Sequence, residues 1–223
     1  GQGPTREMEL LHKRGWVIVP AVLSRAGNQT RARQRADDAI AACGIRCTME
    51  PHEHLRMVAW CGPCPTQVAG GEGRWRYEVQ DAHARTALAH MFEETLAHNG
   101  LLGLRSALAH AANIYALRTL DATTPPTQAR HTDYDPALVM RVADDAHVVP
   151  LSAIWAPIGG FQLVVGPKHA PIEKCTKVHV PAGHIVVFRG DLSHGGGEHM
   201  SAYMRFHAYL AMRGVHIADA VFD

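Results

Sequence analysis

QARHTDYDP, residues 128–136, and GDLSHGGGEHMSAYMRFHAYL, residues 190–210, decide how this chain is read. On an extended backbone, residues two apart face the same side, so His131 and Asp133 present an imidazole and a carboxylate together. With 16 histidines in the chain, about one His-x-Asp is expected by chance, so the pair counts only with support from elsewhere. The second stretch supplies it. GHIVVF, residues 183–188, reads as a buried strand, GDLSHGGGE as a turn, and SAYMRFHAYL as the returning strand. Along that strand Tyr203, Arg205, His207 and Tyr209 alternate onto one face, and Met204, Phe206, Ala208 and Leu210 onto the other. If the charged face lines the interior of a barrel, the Arg205 guanidinium requires an anionic partner, because an unpaired buried charge is very costly. A carboxylate satisfies it bidentately.

His194 can supply a third ligand beside His131 and Asp133. Two histidines and one carboxylate on one face of a metal, the other positions open, form the facial triad suited to non-haem Fe(II). The whole set resembles the Fe(II)/2-oxoglutarate-dependent dioxygenases, and within them the phytanoyl-CoA-dioxygenase-like branch. That family's order of H-x-D, a distal His and an Arg about ten residues on is met by His131, Asp133, His194 and Arg205. HKRGWVIVPAVLS, GGFQLVVGPKHA and VPAGHIVVFRGDLSHGG are similar to further family segments, so the likeness spans residues 12–42 and 110–213.

The resemblance implies a mostly β fold with flanking helices, its core a double-stranded β-helix, or jelly-roll, of the cupin-like kind. It implies one dioxygenase domain over 1–223, with a helical and outer-sheet part at 1–105 and the metal-bearing core at 106–215. It further implies that Fe(II) is held by His131, Asp133 and His194, and that the far carboxylate of 2-oxoglutarate pairs with Arg205. The expected reaction is an oxidoreductase's: hydroxylation of a C–H bond with release of succinate and CO2. Asp133 stands where related halogenases carry a small residue, which favours hydroxylation.

In related enzymes the strand before H-x-D carries polar groups that reach the cosubstrate, and in ALAHAANIYALRTL, residues 107–120, Asn113 and Tyr115 are the candidates on one face, with Arg118 on the other. Tyr134 and Asp135 stand where the family places substrate-side residues, although Asp-Pro is also an ordinary turn. Trp155, in the inner strand VVPLSAIWAPI, either floors the pocket or fills the core. His169 rivals His194 as the distal ligand, but only His194 is followed by an arginine at the family's spacing. His179, His184 and His207 read as structural histidines rather than ligands.

Composition fits one sizeable core: 223 residues, 47% of them hydrophobic, with a net charge of +1. No long Lys/Arg block gives an electrostatic footprint for nucleic acid. No apolar run approaches the roughly eighteen residues of a membrane span, and no charged-then-apolar leader opens the chain, so the expectation is an intracellular protein, cytoplasmic or nuclear. A small molecule is the expected substrate. A methylated or unmodified nucleobase in nucleic acid is the alternative, and a metal-binding jelly-roll without oxygenase activity is the alternative of a different class.

In chain order, Thr5 caps a short helix carrying Met8, Leu10 and Leu11, and Gly15 ends it. Trp16–Val19 is a short strand. Ser24 caps a second helix running to about Cys43, whose charged residues make a solvated face. GRWRYEV, residues 73–79, reads as a strand, and Asp81 caps a helix to Asn99-Gly100 with Leu88, Met91, Phe92 and Leu96 at core spacing.

Trp60-Cys61-Gly62-Pro63-Cys64 reproduces the redox motif of thioredoxins, but the weak strand before it, Pro65 and Gly70-Gly71 deny it the helix such a thiol needs. Cys43, Cys47, Cys61 and Cys64 fall near the spacing of a four-thiolate structural zinc site, against the competing reading of reduced cysteines packed as small hydrophobes. Cys175 is left as the odd one.

Overall fold

A computed structural model describes residues 4–22, 66–67, 74–79, 82–101, 108–119, 127–142, 149–157, 160–198 and 203–212. The helix expected after Ser24 and the four cysteines at 43, 47, 61 and 64 lie outside the described residues.

Helix α1, Arg6–Arg14, begins and ends as its caps dictate. The Thr5 side chain accepts from Met8 N, and Gly15 closes the helix at φ 84°, a left-handed conformation that a residue with a Cβ adopts only at a cost. Strand β1, Trp16–Pro20, follows at once. Strands β2, Thr66–Gln67, and β3, Arg74–Glu78, precede helix α2, Ala82–His98. Gly100, at φ 67°, ends α2 with Leu101 N donating back to Leu96 O. Then come β4, Leu108–Thr119; α3, Pro136–Val142; β5, Leu151–Trp155; β6, Phe161–Val165; β7, Thr176–Val180; β8, His184–Arg189; β9, His194–Gly196; and β10, Tyr203–Met212.

These strands form two antiparallel sheets, a larger one in the order β1-β8-β5-β10-β4-β3-β2 and a smaller one in the order β7-β6-β9. The larger sheet has an apolar layer on each face. On one, Val17, Val19, Ile185, Val187, Ala208 and Leu210 meet Met8 and Leu11 of α1 and Leu88, Phe92 and Leu96 of α2. On the other, Ile154, Val186 and Phe188 meet Phe161, Leu163, Val178 and Val180 of the smaller sheet. Two facing sheets with helices closing one side make a jelly-roll, the fold class expected. The predicted core positions Leu88, Met91, Phe92 and Leu96 are all buried.

Two expectations need correction. SAYMRFHAYL does not return beside GHIVVF, because β5 lies between them: β10 pairs with β4 on one side and β5 on the other. GDLSHGGGE is not turn alone, since His194–Gly196 pairs with β6 and so crosses to the smaller sheet. Gly195 permits that crossing. A Cβ there would lie 2.6 Å from the Gln128 carbonyl oxygen, which is backbone and cannot yield.

Candidate metal centre

Segment 127–133 reaches the site as an extended stretch rather than a regular strand. His131 and His194 form an isolated antiparallel bridge, each donating its N–H to the other's carbonyl at 2.9 Å. Gln128 adds two links to β9, its N–H donating to Gly196 O at 3.0 Å and its Oε1 accepting from Gly196 N at 3.1 Å. The two histidines are thereby joined through their backbones before any metal is considered. The chain bends at Asp133, where Tyr134 N donates to Gly190 O at 3.0 Å, and the carboxylate turns back toward both imidazoles.

Asp133 Oδ1 lies 3.8 Å from His131 Nε2 and 3.9 Å from His194 Nε2. One donor atom from each of the three falls within 4.8 Å of the others. Each imidazole turns its second nitrogen to a backbone carbonyl: His131 Nδ1 to Ala129 O at 3.2 Å, and His194 Nδ1 to Leu192 O at 2.9 Å. A carbonyl only accepts, so each ring in its neutral form carries its proton on Nδ1 and points the Nε2 lone pair at the site. This is the arrangement by which outer groups orient metal-binding histidines. Burial, as the leading cause, pushes His194 down to about 4 and keeps it neutral near pH 7. Burial alone would raise the Asp133 carboxyl, but the imidazoles of His207, His194 and His131 outweigh it and hold the carboxyl well below its usual range. An ionised carboxylate and two imidazoles whose Nε2 atoms face it are what a hard-to-borderline divalent cation takes as ligands, so the residues present fit Fe(II).

Arg205 is buried on the interior face of β10, its guanidinium 5.4 Å from the Phe161 ring centre. Tyr115 stands opposite His207 in the β4–β10 ladder, on the same face as Arg205, and meets Tyr209 edge-on at 5.7 Å. Asn113 occupies the position opposite Tyr209, two residues from Tyr115 as expected, and Arg118 the position opposite Met204.

The remaining candidates lie elsewhere. Trp155 is opposite Phe206, stacked on it at 5.8 Å within the helix-covered layer, so it fills the core and does not floor the pocket. The strand LSAIW is buried on both faces, which removes the alternation that would have told them apart. Asp135 caps α3, its Oδ1 accepting from Ala137 N at 2.8 Å just before Pro136 opens the helix, so its carboxylate serves the helix. Tyr134 is fully buried among Val139, Val149 and Tyr209 and packs the bend that carries Asp133. Burial, with the Asp133 charge, pushes its hydroxyl above the usual tyrosine range. His169 is exposed on the turn after β6 and outside the metal-binding group.

Sequence reasoning passed over one residue. His207, set aside as structural, has its Nε2 3.2 Å from Asp133 Oδ2. The signal was the alternation that put it on the Arg205 face, but nothing local tied that face to Asp133.

No protein-family model and no curated protein matches the sequence. Solved structures do. A prolyl-4-hydroxylase from Pseudomonas putida is similar over 93% of this chain and 98% of its own, at 16% identity and a TM-score of 0.51. An oxidoreductase of the 2OG-Fe(II) oxygenase family from Burkholderia pseudomallei covers 100% of this chain and 94% of its own, at 13% identity and a TM-score of 0.52. The fold is that of the 2-oxoglutarate oxygenases. The epimerase SnoN, solved in complex with Fe3+, alpha-ketoglutarate and nogalamycin RO, shares that 2-oxoglutarate oxygenase fold over 92% of this chain and 82% of its own, at 14% identity and a TM-score of 0.51. Among the described residues no helix is long and apolar enough to cross a membrane.

Proposed function

We propose that this chain is an Fe(II)- and 2-oxoglutarate-dependent dioxygenase of the phytanoyl-CoA-dioxygenase-like branch that hydroxylates a C–H bond of a small molecule. The observation that carries the proposal is the convergence of His131, Asp133 and His194 inside the jelly-roll, with Arg205 buried on the interior face of β10, the face whose His207 touches Asp133. His131, Asp133 and His194 would hold the iron. Bound there, iron and 2-oxoglutarate would supply the activation of dioxygen and the oxidative decarboxylation that yields succinate and CO2.

The protein's own contribution is placement and exclusion of water. His194 and Asp133 are buried and His131 is half-buried, so access lies on the His131 side. Arg205 stands two residues from His207, roughly 7 Å along the strand, and His207 touches Asp133. A guanidinium on the same strand face as His207 suits a short dicarboxylate that reaches the metal with one end and the forked donors with the other. Tyr115 and Asn113, at neighbouring ladder positions on the same face, would add polar contacts to the cosubstrate. A small-molecule substrate agrees with a net charge of +1, which supplies no broad field for a nucleic-acid backbone.

The test is an anaerobic titration of metal-free protein with Fe(II), then 2-oxoglutarate, following the visible charge-transfer band of a chelated keto acid. The band should form, and Arg205→Ala should raise the 2-oxoglutarate needed by about 30-fold or more, as expected when one partner of a buried charge pair is removed. Iron binding with no band would refute the cosubstrate.

A further inference from the structure

The Asp133 carboxylate has two oxygens in different company. Oδ1 faces Nε2 of His131 and His194, the other two members of the metal-binding group. Oδ2 faces Nε2 of His207 at 3.2 Å, and His207 is not itself in that group. The His207 ring is held in place. Its centre lies 4.4 Å from that of Tyr209 and 6.2 Å from that of Phe188. Its backbone sits in the middle of the larger sheet, paired to Tyr115 on one side and Ile154 on the other. The residue is 5% exposed, so no water layer separates its ring from the carboxylate at this distance.

We propose that His207 is a positioning residue for Asp133, holding Oδ2 so that the carboxylate offers the metal Oδ1 alone. The inference rests on the reading of His131, Asp133 and His194 as a metal centre. An imidazole nitrogen held 3.2 Å from one carboxylate oxygen restricts the rotation of the group about its Cβ–Cγ bond. A carboxylate free to rotate can chelate a cation through both oxygens and occupy a position that a keto acid needs for its two donors. His207 thus keeps a coordination position open as well as fixing a ligand. Partners of this kind are commonly worth about 10- to 100-fold in metal affinity.

The experiment uses Co(II) as the probe, titrated into metal-free full-length protein and read by its visible spectrum, with wild type, His207→Phe and His207→Gln compared. Phenylalanine keeps a ring and removes the nitrogen, whereas glutamine restores an N–H donor near the Nε2 position. The expected result is that His207→Phe weakens Co(II) binding about 10- to 100-fold and changes the spectrum, while His207→Gln recovers most of the affinity. Wild-type affinity and spectrum in His207→Phe would overturn the inference, as would equal loss in both variants, which marks ring packing or direct ligation instead. If His207→Phe does not fold, His207→Leu against His207→Gln decides the same comparison. Wild-type protein that binds no metal fails the metal-centre reading before any variant is made. Wild-type protein that binds Co(II) but forms no keto-acid band with Fe(II) fails the cosubstrate alone, and the cobalt titrations still decide His207.

Discussion

Replacing Gly190 by alanine should damage the candidate metal site from behind. Gly190 follows β8 and is pinned on both sides, its N–H donating to Pro150 O at 2.8 Å and its carbonyl accepting from Tyr134 N at 3.0 Å. It lies outside the left-handed region, so alanine meets no backbone penalty. The penalty is steric: a Cβ would stand 2.3 Å from Tyr134 Cδ2, 2.8 Å from Cγ and 3.1 Å from Cβ. Carbon contacts are comfortable at about 3.5–4.0 Å, so the overlap exceeds an ångström. The tyrosine ring cannot retreat, being fully buried against Val139, Val149 and Tyr209. Overpacking of this kind costs about 1–3 kcal/mol. For a domain of this length that lowers the melting temperature by roughly 2–4 °C per kcal/mol. Because Tyr134 is bonded to Asp133, any shift that relieves the overlap moves the carboxylate, and Co(II) affinity should fall by about tenfold or more. Circular dichroism melting of metal-free protein and the cobalt titration measure the two effects. In a Tyr134→Ala background the same substitution should lose most of its cost, a coupling of about 1–2 kcal/mol. A wild-type melting temperature and metal affinity in Gly190→Ala, or an equal cost in both backgrounds, would refute the steric argument.

Asp133→Ala should retain the fold and lose bound iron, measured by metal analysis after desalting; an iron-loaded, active variant would remove Asp133 from the site. Asp135→Ala should cost about 1 kcal/mol through the lost cap of α3 and leave the keto-acid band unchanged. Undiminished stability with altered substrate turnover would return Asp135 to a substrate role. The metal-free protein should also weaken in mild acid. His194 titrates at about 4 when folded against 6.5 ordinarily, so between these values the unfolded chain binds more protons and stability falls as pH falls. The full loss, reached below pH 4, is about 3 kcal/mol, and Asp133, held low by its imidazoles, adds a further loss only below its ordinary 3.8. Urea denaturation of wild type and His194→Gln at pH 7 and pH 4.5 tests this, and a difference between them that does not change with pH would contradict it.

Local chemistry made part of this protein legible without coordinates. Thr5, Gly15 and Gly100 cap their helices through interactions spanning a few residues, which a linear reading can see. The alternation in YMRFHAYL assigned Arg205, His207 and Tyr209 to one face, because the two-residue period of a strand is a property of its backbone. The candidate metal trio of His131, Asp133 and His194 was legible through its motif and its resemblance to a known family. What stayed hidden depended on neighbours distant in sequence. The wholly buried β5 gave Trp155 no polar side to contrast with, so its face was decided by which layer the helices cover. Strand order was equally out of reach, since the insertion of β5 between β8 and β10 follows from packing the whole sheet against α1 and α2 rather than from any turn. The partnership of His207 with Asp133 joins residues 74 positions apart, one on β10 and the other in the bend after His131. One-dimensional periodicity can say which way a side chain faces. Only the closure of the two sheets decides what it meets.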